Sequence, residues 1–212
     1  MSTNLERPGG PDGAQQPSVG FTAMADGTAE DYRLLGRYED AELARFPDRV
    51  LSWLRDMDDH GGYQITRLQH CLQAATRAYR AGEDEEMVVC VLVHDIGDML
   101  GPANHSEVAA AVLRPYVSER NYWVVKHHGV FQGAYWFHHV GADPHARERW
   151  AGHPWYQDCV DFCAHYDQNS FDPNYPTETL EFFEPMLRRV FAPERVKAPD
   201  LQDPDGSTPA ES

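Results

Sequence analysis

The chain of 212 residues carries 34 acidic against 18 basic side chains, a formal net charge of −16, and 42% of its residues are hydrophobic. That composition suits one soluble globular domain with a full-sized core, and its negative field repels phosphate backbones, which argues against nucleic acid as a partner. No apolar run approaches the roughly 20 residues that span a bilayer, and the N-terminus lacks the basic start and apolar stretch of a secretory signal, so a cytoplasmic protein with no membrane partner is expected.

Residues 1–30 are rich in turn formers, as in Pro8-Gly9-Gly10-Pro11, and are expected to be a disordered or loosely attached tail. The same holds for 196–212, which leaves 31–195 as the ordered domain. Over residues 40–57, Leu43, Phe46, Val50, Leu51 and Leu54 recur at three- and four-residue steps, predicting a helix reset at Pro47. An acidic loop with His60-Gly61-Gly62 follows. Residues 64–81 read as a helix with Leu68, Cys71, Leu72, Ala75 and Ala78 inward, His70 beside that stripe and Gly82 as its stop.

The next segment, 84–97, is an almost continuous apolar run. Asp84 can cap it, Glu85 and Glu86 suit the positive end of its dipole, and His94-Asp95 falls in its last turn. Two hydrophilic groups at the inner end of a core helix cost about 1–3 kcal/mol each if left unpaired. A divalent metal satisfies both. Asn104 can cap a further helix with Glu107 three residues on, placing His105 in its first turn, and Pro115 closes it. Ser118 can cap another that ends at His127-His128-Gly129, before the aromatic run 131–137 and His138-His139. A helix is predicted over 154–166 with Asp167 at its end, and one over 177–191 kinked at Pro185. No alternating strand and no internal repeat is present, so the fold is expected to be all-α. The four cysteines (Cys71, Cys90, Cys159, Cys163) lie within helical patterns without a C-x-x-C pair, predicting buried reduced thiols.

Singly, each histidine reads as a satisfied core or surface residue. Jointly, five helix ends or faces can bring His70, His94, Asp95, His105, Asp167 and either His127 or His128 to one point, and imidazoles with carboxylates suit two borderline or hard ions such as iron, with Asp95 able to bridge them.

At these residues the chain resembles the HD-domain superfamily, named for its adjacent His-Asp pair, over about residues 60–170. His94-Asp95-Ile96-Gly97 corresponds to its central motif, and the ordered set His70, His94, Asp95, His105, His128, Asp167 looks like the dinuclear version. Counting from Ser118-Glu119-Arg120 puts the family ligand on His128. The segment from Leu68 to Ala75, with Asp84 to Val88 after it, resembles the branch of mixed-valent di-iron oxygenases that includes the phosphonate-cleaving enzymes and, more distantly, myo-inositol oxygenase. The resemblance implies a compact HD-domain helical bundle, two iron ions as Fe(II)/Fe(III), O2 as co-substrate, and His94 and Asp95 at the reacting centre. In the phosphonate-cleaving enzymes a tyrosine and a glutamate ahead of the first ligand gate the second iron. Here those positions hold His60 and Tyr63. A histidine after the motif and a lysine after the fourth histidine ligand lie near the phosphonate in those enzymes, and here Asp98 and Gln132 stand instead.

The leading expectation is an oxygenase that cleaves a C–P or C–C bond at a hydroxylated carbon. The alternatives are a metal-dependent phosphohydrolase acting on a nucleotide or phosphomonoester, and a small-molecule-binding HD protein without turnover. The acidic chain, Asp98, Gln132 and the aromatics Tyr63, Tyr122, Trp123, Phe131, Tyr135 and Trp136 favour a small cationic or zwitterionic substrate, while Arg67 or Lys126 can meet an anionic group. Oligomeric state is not legible.

Overall fold

The computed structural model describes residues 16–197; the outer parts of both expected tails, 1–15 and 198–212, lie outside the described residues. Among the described residues every regular element is helical, as the absence of alternating patterns predicts. The chain divides into two units, 1–43 and 44–212.

In the first unit, Thr28 starts α1 (Ala29–Asp56) through a reciprocal cap: Asp31 N donates to Thr28 Oγ1 at 3.3 Å and Thr28 N donates to Asp31 Oδ2 at 2.9 Å. The helix therefore begins eleven residues before the apolar periodicity that predicted it. Tyr32 packs its ring on Phe21, and Tyr38 donates its hydroxyl to Pro17 O. α1 is not interrupted at Pro47, which is buried. The expected reset does not occur.

In the second unit, α2 (Arg67–Ala81) opens with a capping box between Thr66 and Gln69 and closes on Gly82 at φ 84°, a left-handed position that suits glycine. α3 (Glu85–Val93) is capped by Asp84 and is buried at every position from Met87 to Val93. A helix apolar all round belongs in the middle of the core, and α3 does pack against α2, α5 (Glu119–Gln132) and α7 (Leu180–Val190). It ends earlier than predicted, with His94 as its C-cap and a 3-10 turn, Ile96–Met99, after Asp95. The turn frees Asp95 from the helix and aims it differently from His94.

α4 (His105–Leu113) starts where expected, but Asn104 makes no side-chain cap. It is seated by Gly97 instead: a Cβ there would lie 2.0 Å from His105 O. α5 continues through Gly129 to Gln132 because that glycine lets α4 approach, a Cβ falling 2.7 Å from Ser106 Oγ. α6 (Tyr156–Phe162) runs directly into a single π-turn, Cys163–Asp167. Such π-turns are often found at functional sites. Pro185 lies inside α7, which runs unbroken.

All four cysteines are free and buried, and Cys159 and Cys163 donate to Val124 O and His128 O of α5. No helix among the described residues is long and apolar enough to cross a membrane.

Candidate metal centre

Three imidazoles are locked by the backbone. His70 Nδ1 donates to Ser170 O at 2.9 Å, His94 Nδ1 to Val91 O at 2.7 Å and His128 Nδ1 to Val125 O at 2.7 Å. A ring that donates through Nδ1 carries its free lone pair on Nε2, and the three Nε2 atoms point into one buried space. The Ser170 carbonyl is held in place because its segment is stitched to α2: Gln73 donates to Asp172 O, Arg77 to Asn169 O, and Glu178 N to Thr76 Oγ1.

Two groups of ligand atoms result, His70, His94 and Asp167, then Asp95, His105 and His128, each with its ligating atoms within 4.8 Å of one another. Asp95 joins them. Its Oδ2 lies 3.5 Å from His70 Nε2 and 3.4 Å from His94 Nε2, while its Oδ1 lies 3.5 Å from His105 Nε2 and 3.3 Å from His128 Nε2. Asp167 Oδ1 is 3.3 Å from His70 Nε2 and 3.7 Å from His94 Nε2.

The donors fit a divalent cation and do not satisfy one another. His70 Nε2 and His94 Nε2 are 3.2 Å apart, two lone pairs face to face, and Asp167 Oδ2 is buried without a partner. Ligands about 2.1 Å from a tetrahedral cation are separated by about 3.4 Å, which is the spacing seen here. Burial disfavours charge on His94, but Asp95 and Asp167 outweigh it and pull its pKa up to about 9. Burial would also raise both carboxyls, yet the surrounding imidazoles hold Asp95 and Asp167 below the usual carboxylate range. These are strong fields seeking positive charge. Cys71 sits within 4.8 Å of the His94 and Asp95 ligand atoms, but burial pushes its thiol well up, which keeps it protonated.

A cavity of about 560 Å³ opens onto His70, Asp95 and His105. Arg67, Asp98, Gln132, Tyr63 and Tyr135, all named from the sequence, are among its lining residues. Their roles differ in detail. Asp98 is engaged on both oxygens, Oδ1 3.7 Å from His105 Nδ1 and Oδ2 3.7 Å from Arg67 Nε, so it braces the one histidine that lacks a backbone lock. Gln132 donates to Asp167 Oδ1 at 2.6 Å. Tyr63 stacks on Phe171, which stacks on His70 with ring centres 4.3 Å apart. Phe171, Gln168, Thr66 and Ile65 line the cavity without any sequence signal; the packing of 168–171 against α2 brings in the first two, and Ile65 and Thr66 lie at the start of α2.

The structure places several of the expected residues away from the cavity and settles one alternative. His60 is exposed in its loop and is not among the lining residues. Lys126 lies two residues before His128, about 200° around α5, and so faces away, its Nζ near the Tyr122 ring. Tyr122, Trp123 and Phe131 are not at the mouth; Trp123 and Phe131 pack with Trp150, and Trp123 stacks on His153. His127 donates to Trp123 O and sits against Trp150, which leaves His128 as the histidine turned to Asp95. His138, His139, His145 and His165 are exposed and outside the cavity lining.

Residues 67–159 match the family model of the HD domain. Among curated proteins, none matches the chain. The matched segment contains His70, His94, Asp95, His105 and His128, with Asp167 just beyond it. Over that segment the chain is similar to the HD domain, a metal-dependent family.

Proposed function

We propose that this protein is a di-iron oxygenase that uses O2 to cleave a C–P or C–C bond at the hydroxylated carbon of a small substrate. The observation that carries the reading is that each half of the centre presents two imidazoles and one carboxylate, the set that suits non-haem Fe(II), with Asp95 giving one oxygen to each half. His70, His94, Asp95, His105, His128 and Asp167 would hold an Fe(II)/Fe(III) pair there, which would supply O2 reduction and hydrogen abstraction. The chain supplies orientation: backbone carbonyls fix three tautomers, Asp98 lies beside His105, and buried Phe162 packs against the rings of His94 and His128.

The substrate in this reading is zwitterionic or cationic. Arg67 is the only lysine or arginine among the described lining residues, and its contacts to Asp98 and Asp59, at 3.7 and 3.9 Å, leave its donors room for one anionic group. The Tyr63, Phe171, Tyr135 and Trp136 rings suit an ammonium head. The HD-domain match favours a second reading, a metal-dependent phosphohydrolase, but one arginine is a poor receiver for a polyphosphate. Multiple-turnover assays with hydroxylated trimethylammonium compounds, aminophosphonates and nucleotides, aerobic and rigorously anoxic, separate the two. Turnover that stops without O2 supports the oxygenase; undiminished anoxic turnover with manganese or magnesium overturns it.

A further inference from the structure

Asp167 is the carboxylate most deeply buried in the centre, and it arrives on a π-turn instead of a regular helix. Its contacts are uneven. Oδ2 has no partner, while Oδ1 faces His70 Nε2 and accepts the Gln132 amide at 2.6 Å. Gln132 comes from α5, four residues after His128, so one face of one helix reaches both halves of the centre: His128 toward Asp95 Oδ1, Gln132 toward Asp167. Gln132 also lines the cavity, where His94, His128 and Asp167 do not. Besides His70, the amide is thus a point at which the cavity wall touches a ligand group that the cavity itself does not reach.

We propose that Gln132 is a positioning residue: by donating to Asp167 Oδ1 it fixes the carboxylate against the His70–His94 pair and sets cation affinity in that buried half. The proposal rests on the reading of the cluster as a metal centre. Without this donor, Asp167 has a buried carboxylate with no neutral partner to hold its plane. Oxygen Oδ1 is then free to rotate away from the imidazoles. Outer hydrogen bonds to metal ligands of this kind change affinity by about 10–100-fold.

The test is a chelator-competition titration of Fe(II), and of Co(II) as an optical probe, under anoxic conditions in wild type and Gln132→Met, which keeps the side-chain length and removes the donor. Two binding steps are expected in wild type. In Gln132→Met one step should weaken about tenfold or more, with an altered Co(II) ligand-field spectrum, while the other step and the far-UV circular dichroism stay as in wild type. If Gln132→Met does not fold, Gln132→Asn, which keeps the amide but withdraws it by one methylene, reads the same contact. Two unchanged binding steps in the variant overturn the role of Gln132. No cation binding in wild type instead overturns the metal centre itself.

Discussion

His70 Nε2 and His94 Nε2 lie 3.2 Å apart, each with its Nδ1 committed to a backbone carbonyl. Two imidazole lone pairs cannot satisfy one another, so a proton or a cation must lie between them. With two carboxylates alongside, the metal-free protein takes the proton: His94 rises from 6.5 to about 9. A raised pKa stabilises the folded state fully below the unfolded value and loses that stability as pH climbs through the folded one. Chelator-stripped protein should therefore be more stable at pH 6.5 than at pH 9.5, by about 3 kcal/mol at most. Loaded protein should lack this drop, because the cation replaces the proton. Melting temperatures across that range, with and without chelator, check it.

Asp95 touches all four histidines while His105 touches only one half, so the two should fail differently. Asp95→Ala should abolish binding of both cations, and His105→Ala should leave one. Metal content after desalting reads the difference, and two cations per chain in Asp95→Ala would remove the shared-carboxylate model.

The helices were largely legible from the sequence, because α3 and α5 carry explicit caps in Asp84 and Ser118 and Gly82 stops α2, whereas the Thr66 cap that starts α2 at Arg67 was not read. The six metal-type residues were legible too, through their order and their resemblance to a known family. What was not legible was set by tertiary contact. The early start of α1 depends on Thr28–Asp31, in a stretch with little apolar periodicity. The π-turn that delivers Asp167 has no local signal. Lys126 and Tyr122 looked available because a linear list does not tell which face of α5 His128 occupies.

Gly97 and Gly129 both adjoin His105, but the obstacles differ. A Cβ at Gly97 meets backbone, His105 O at 2.0 Å, whereas a Cβ at Gly129 meets the movable Ser106 Oγ at 2.7 Å. Gly97→Ala should displace His105, cost about 3 kcal/mol or more and lose one cation. Gly129→Ala should cost about 1–3 kcal/mol and be partly rescued by Ser106→Ala. Denaturant melts with metal analysis test both; equal costs for the two glycines would contradict the packing described.

Phe171 carries a stack from exposed Tyr63 to buried His70. Phe171→Leu keeps apolar bulk but removes the ring, and should lower stability by about 1 kcal/mol while raising KM more than it lowers kcat. Steady-state kinetics on a turned-over substrate check this. A change confined to kcat would mean the stack serves the reaction instead of the cavity.

In the proposed oxygenase one carboxylate, Asp95, would hold two iron ions as a coupled pair. Electron paramagnetic resonance with Mössbauer spectroscopy, on protein loaded anoxically with Fe(II) and then partly oxidised, addresses it directly. The account predicts two irons per chain and a half-integer-spin signal from a coupled Fe(II)/Fe(III) pair. One iron per chain, or two irons without magnetic coupling, would contradict it.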